Sequence, residues 1–128
     1  MTRQAISTSG APAAIGPYSQ GIASGDLVFC SGQLGLDPAS GAMVEGGVEA
    51  QAERALRNLA AVLDAAGCSW SDVVKTTIYL ADINDFGAVN GIYATFMADP
   101  PPARSTFAVG DLPKGGRIEI EAIARRRS

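Results

Sequence analysis

Two stretches of this chain carry residue types suited to chemistry on a small charged molecule. The first is Pro100-Pro101-Pro102-Ala103-Arg104-Ser105, which runs on into Thr106-Phe107-Ala108-Val109. Consecutive prolines can neither continue a helix nor donate to a sheet ladder, so they form a stiff lead-in to a strand at 104–109. Arg104 stands at the mouth of that otherwise apolar strand. Its guanidinium is a planar fork of donors that meets a carboxylate with two parallel bonds. The functional reading is a clamp on an anionic small molecule. The plain alternative is a strand-end arginine in solvent, or one paired with an acid. The second stretch is Arg117-Ile118-Glu119-Ile120-Glu121-Ala122-Ile123-Ala124. Alternation places Ile118, Ile120, Ala122 and Ala124 on one face, and Glu119, Glu121 and Ile123 on the other. The linker 110–116 is short, so these two strands are expected to pair as a hairpin that brings a glutamate near Arg104. Two ordinary solvent-facing glutamates are the alternative.

Three further positions are candidates. Tyr18 lies on the loop Ala11-Pro12-Ala13-Ala14-Ile15-Gly16-Pro17-Tyr18. It is either a hydroxyl-bearing site wall or a ring packed on the core. Ser31-Gly32-Gln33 closes an apolar strand, and glycine there permits close approach of a neighbour or a ligand. Asn90 sits mid-helix beside an apolar stripe and is either simply exposed or an amide offered to a site.

Composition removes other chemistries. The chain has 128 residues and no histidine. That excludes every Ser-His-Asp or Cys-His arrangement and most zinc sites. Cys30 and Cys68 have no metal-like spacing, and Cys30 reads as a buried free thiol. The net charge of -3 lacks the electrostatic footprint of a nucleic-acid binder. The basic tail Arg125-Arg126-Arg127 fits either a nucleic-acid partner or a solvated terminus. With no apolar run behind Met1, no signal peptide is expected, and no stretch has membrane-spanning length. A soluble, cytoplasmic protein follows as the expectation, one domain over 1–128.

The elements that position these residues follow from periodicity. An edge strand is expected at 4–7, and a hairpin of 19–23 with 26–31 about Ser24-Gly25. A helix over 48–66 has Ala52, Ala55, Leu56, Leu59, Leu63 and Ala66 on one face, with Gly67 as its stop. A β-rich run spans 73–80. Asp82 or Asn84 then caps a second helix to Met97, whose buried stripe is Phe86, Val89, Ile92, Tyr93 and Phe96. The order is β-β-β-α-β-α-β-β. Two helices cover one face of such a sheet and leave the other to a partner, most simply in a closed homo-oligomer.

In sequence order, Ala11-Pro12-Ala13-Ala14-Ile15-Gly16-Pro17-Tyr18-Ser19-Gln20-Gly21, Ser31-Gly32-Gln33, Val74-Lys75-Thr76-Thr77, Asn90-Gly91-Ile92-Tyr93, Pro102-Ala103-Arg104-Ser105 and Ile118-Glu119-Ile120-Glu121-Ala122 resemble the RidA/YjgF/YER057c/UK114 family. The likeness covers nearly the whole chain. It implies a chorismate-mutase-like α+β fold with a mixed sheet and two helices on one face. It also implies a homotrimer with clefts between subunits and 2-iminobutanoate/2-iminopropanoate deaminase activity. The family's carboxylate-binding arginine matches Arg104 and its water-orienting glutamate matches Glu119. Its cleft-lining residues match Tyr18, Ser31, Gly32 and Asn90, and the Ser105 region is expected to help bind the intermediate. No metal or organic cofactor is implied. Thr106 departs from the cysteine that many deaminating members carry there, and the family varies at Leu34-Gly35. Two other readings stay open: a small-acid-binding or chaperone-like trimer without turnover, and a ribonuclease or translation inhibitor.

Overall fold

A computed structural model of the chain describes residues 2–127. Eight main elements follow one another: β1 Gln4–Ile6, β2 Gly21–Ser24, β3 Leu27–Leu34, α1 Gly47–Ala65, β4 Val73–Leu80, α2 Phe86–Ala94, β5 Ala103–Ala108 and β6 Ile118–Arg125. The strands form one six-stranded mixed sheet in the order β1-β2-β3-β6-β4-β5. This is the expected α+β architecture.

The expected hairpin of the last two strands does not form. β6 is central, antiparallel to both β3 and β4. β5 lies beyond β4 and runs parallel to it, with Thr76 opposite Arg104 and Ile78 opposite Thr106. A parallel neighbour requires a crossover, and α2 supplies it, so β4-α2-β5 is a crossover unit. Reading the linker 110–116 as a hairpin loop overlooked that β4, rich in Val, Thr, Ile and Tyr, pairs well on both edges.

One face of the sheet is covered. Ala52, Ala55, Leu56, Leu59, Val62 and Leu63 of α1 are buried on Val28, Ile118, Ile120 and Ala124. The alanines let the helix lie close, and each large aliphatic side chain contributes about 2 kcal/mol by leaving water. Two buried amides of α1 secure strand ends. The Asn58 amide donates to the carbonyls of Leu34 (3.1 Å) and Leu36 (2.9 Å). The Gln51 carbonyl oxygen accepts from the backbone of Arg117 (2.9 Å). Past the helix, Gly67 takes φ 80°, and Cys68 N–H returns to the Leu63 carbonyl (2.8 Å).

The second helix is shorter than its periodicity predicted. Asp82 caps a separate 3₁₀ turn at Ile83–Asp85 by accepting from Asn84 N–H (2.9 Å). Of the predicted stripe only Val89 and Tyr93 are buried; Phe86 is exposed and Ile92 and Phe96 are half-buried.

The other face of the sheet is bare. Leu27 is 37%, Phe29 42% and Phe107 46% exposed there. Tyr79 and Phe107 meet edge to face across β4 and β5, ring centroids 5.3 Å apart. Among the described residues, no helix is long and apolar enough to cross a membrane.

Candidate active site

Arg104 and Glu119 face opposite sides of the sheet. Side chains at matched cross-strand positions share a face. Arg104 pairs with Thr76, which is fully buried and joined to Tyr93 of α2 through their hydroxyls (2.7 Å). Arg104 therefore points to the helix-covered side, at the sheet's edge. Glu119 pairs with Tyr79 on the bare side, between the buried Ile118 and Ile120. The chain by itself thus carries two separate candidate half-sites.

In the first half-site, Arg104 Nη1 donates to Asn90 Oδ1 at 2.7 Å. The guanidinium carbon lies 4.9 Å from the centroid of the Tyr93 ring and 5.4 Å from that of Phe86. Such contacts hold a cation by the ring faces and restrict its rotation. The ion pairs of the described residues are Arg57–Glu53, Arg117–Asp85, Arg125–Asp26 and Arg127–Asp72, and Arg104 is in none. Its charge is oriented but not neutralised. With Tyr93, Met97 and Pro102, Arg104 and Asn90 line one hollow. Two residues further along this strand face, Thr106 has a buried hydroxyl with no hydrogen-bond partner.

The second half-site is a groove on the bare side, lined by Ile15, Tyr18, Ser31, Gly32, Lys114 and Glu119, among others. The pairing of β3 with β6 shifts register between Cys30 and Gln33, so Ser31 and Gly32 sit in a bulge. The Glu119 carboxylate lies over that bulge. A Cβ at Gly32 would stand 2.5 Å from Glu119 Oε2 and 2.9 Å from Cδ, so only glycine leaves the carboxylate its place. Burial first, then the charge of Glu121, pushes the Glu119 carboxyl above its ordinary range. The same surroundings act on Tyr79: burial, then Glu121 and Glu119, raises its phenol. Ser31 is less free than its sequence position suggested, since its hydroxyl donates to the Ser19 carbonyl at 2.6 Å. Tyr18 is 53% exposed, so it is a wall of the groove and not a core ring.

The Ser105 side chain lies on the opposite face from Arg104. It pairs with Thr77, whose other neighbour is Glu121, and so projects from the bare face, away from Arg104 on its own strand. The tail arginines are engaged within the chain: Arg125 on Asp26 (2.9 Å), Arg126 on the Gly25 carbonyl (3.0 Å), Arg127 on Asp72 (2.9 Å). Cys30 and Cys68 are buried and free, and burial pushes the Cys30 thiol up to about 12. Among the described residues, no three His, Cys, Asp or Glu side chains are grouped to hold a metal ion.

Sequence reasoning missed the cradle of Arg104. Phe86, Asn90 and Tyr93 follow helical spacing, one face of α2, but Phe86 and Tyr93 were read as core. It also missed Gln20, whose buried side chain bonds only to backbone.

A mixed sheet with two helices on one face, an unpaired arginine at its edge and a half-buried glutamate on its bare side define a small-molecule-binding α+β protein. The chain belongs to the RidA/YjgF family: the family model described as "Endoribonuclease L-PSP" matches residues 8–126. It is 57% identical over 122 residues to the rat protein named "2-iminobutanoate/2-iminopropanoate deaminase", covering 95% of this chain and 89% of that one. A structure titled as a putative endoribonuclease from Thermotoga maritima superposes with a TM-score of 0.94 at 45% identity, covering 98% of each chain. The Escherichia coli TdcF structure with bound serine superposes at 0.91 and 41% identity, covering 97% of this chain and 99% of that one.

Proposed function

We propose that this protein is a hydrolytic deaminase of 2-imino acids and their enamine tautomers, 2-aminoacrylate/2-iminopropanoate and 2-iminobutanoate among them, releasing 2-oxo acid and ammonia. The observation that carries the reading is Arg104. It is an uncompensated guanidinium held by an amide and two rings, in a chain more than half identical to a relative named for this reaction.

In this reading the working unit is a homotrimer, and Arg104 of one chain faces Glu119 of its neighbour across a seam. Two features support the pairing: the half-sites lie on opposite faces of one chain, and the Glu119 face exposes large apolar side chains that an assembly would bury. Asn90 takes one of the five N–H groups of Arg104, leaving a fork for the substrate carboxylate. That grip fixes the electrophilic carbon of the protonated imine. Water adds to this carbon as Glu119 accepts its proton, giving a carbinolamine. Glu119 then gives that proton to the amino nitrogen, ammonia leaves with the C–N electron pair, and the carbonyl forms as the hydroxyl proton returns to the Glu119 carboxylate. A free glutamate, with a pKa of about 4.3, is a weak base at neutral pH. The upward displacement of Glu119 makes it a better one. Tyr18, Ser31 and Gly32 shape the groove around the reacting centre. In this reading the site of action is the cytoplasm.

The ribonuclease description attached to the family finds little in this chain. It has no histidine, a net charge of -3, and tail arginines already bonded to acids and a carbonyl.

The test is a dehydratase-coupled assay of 2-oxo acid formation. Arg104→Ala is expected to lower kcat/KM about 1000-fold, ~4 kcal/mol, with the assembly intact. An unchanged rate would remove Arg104 from the chemistry. Tight 2-oxo acid binding by a wild type that does not hydrolyse imines would select the non-catalytic reading.

A further inference from the structure

We propose that Gln20 is a positioning residue: its buried carboxamide fixes the loop that walls the Glu119 side of the cleft. The kinetic part rests on the deaminase reading above; the structural part does not.

Gln20 is 4% exposed. An amide side chain offers two donor hydrogens and one acceptor oxygen, and here all are spent on one segment of backbone. Gln20 Oε1 accepts from Thr8 N–H at 2.7 Å. The two hydrogens of Nε2 go to the carbonyls of Pro12 (2.8 Å) and Thr8 (3.0 Å), with the Ala11 carbonyl (3.3 Å) sharing one of them as a weaker, bifurcated partner. Residues 7–20 lie between β1 and β2 and belong to no strand or helix, so their polar groups lack ladder partners. Unpaired backbone groups near a buried position are costly, and the Gln20 amide serves four of them at once. The loop it secures carries Ile15 and Tyr18 to the groove over Glu119.

The main chain of the same residue is tied to the floor of that groove. The Gln20 carbonyl accepts from Ser31 N–H at 3.0 Å, and the neighbouring Ser19 carbonyl accepts from the Ser31 hydroxyl at 2.6 Å. Gln20 therefore joins wall to floor: backbone to the Ser31-Gly32 bulge, side chain to the loop. Replacing the side chain cuts the wall loose and leaves the bulge and Glu119 in place. The consequence is specific. Substrate binding weakens, because its wall is mobile, while turnover of bound substrate persists, because Arg104 and Glu119 are untouched.

The experiment compares wild type with Gln20→Met, which keeps the length and loses the amide. Its readouts are the coupled imine assay and amide hydrogen exchange over residues 8–18. The expected result is a KM raised about tenfold, a kcat within about twofold, and faster exchange led by the Thr8 amide. Faster exchange with an unchanged KM, or a loss confined to kcat, overturns the positioning role. Unchanged exchange overturns the hold on the loop. Should Gln20→Met fail to fold, Thr8→Pro is compared with Thr8→Ala at this half-buried position: both lose the hydroxyl that accepts from Gly10 N–H (3.2 Å), and only the proline also loses the N–H bond to Oε1. A KM raised about threefold over that of Thr8→Ala is then expected, and an unchanged one overturns the proposal. A wild type without imine hydrolysis sinks the functional reading instead, and the exchange comparison still decides whether Gln20 holds the wall.

Discussion

Arg104 is held from three sides, by Asn90 at 2.7 Å and by the rings of Tyr93 and Phe86. Glu119 has no cation among its partners in the described residues and rests over the bare backbone of Gly32. In the proposed function the two half-sites solve different problems. A binding charge works best when its geometry is fixed before the substrate arrives, so the fork is braced by neutral groups that leave its charge in force. A base at neutral pH must hold a proton better than a free carboxylate does. Within its own chain, Glu119 gets this from burial and from the negative charge of Glu121. Fixed but uncompensated in one case, set beside a like charge in the other, the pair divides orientation from proton affinity.

Breaking the base half is expected to show this division. Glu119→Gln should lower kcat about 100-fold and leave KM little changed, as measured in the coupled assay. Its effect on stability should have the opposite sign. A carboxyl raised in the folded state binds its proton more tightly there than when unfolded, so stability falls as pH climbs from the unfolded value through the folded one. Glu119→Gln should therefore be more stable than wild type at neutral pH, and the gain should vanish in acid below the unfolded pKa. Denaturant titrations at the two pH values check it. Gly32→Ala comes next: an added methyl displaces the carboxylate and should cost about tenfold in kcat, with the fold intact, because the glutamate's end can swing aside. Glu121→Gln has the smallest expected effect, a rate within about threefold at neutral pH. It removes the second cause of the Glu119 displacement, so the acid limb of kcat/KM should move to lower pH.

Periodicity made most of the fold legible. The α1 stripe, the alternation of β6 and the element order all follow from apolar spacing, and the structure keeps them. Pairing between distant strands did not follow. Whether β6 lies beside β5 or β4 depends on which edges compete, and β4 takes β6 on one side and β5 on the other. That choice moved Glu119 to the far side of the sheet from Arg104. Of the site, Arg104, Asn90 and Tyr18 could be read from residue type and position. Phe86 and Tyr93 could not be separated from core aromatics, since stacking a cation and packing a core need the same helical spacing. The role of Gln20 was hidden because its partners are main-chain groups, which no residue pattern marks.

The central claim is that Arg104 and Glu119 act from different chains, and mixed assemblies test it most directly. Arg104→Ala and Glu119→Gln, each inactive alone, are unfolded together at equal amounts and refolded. If a site takes Arg104 from one chain and Glu119 from the next, random assembly restores about a quarter of wild-type activity. Activity no greater than the sum of the two separate variants would contradict the account.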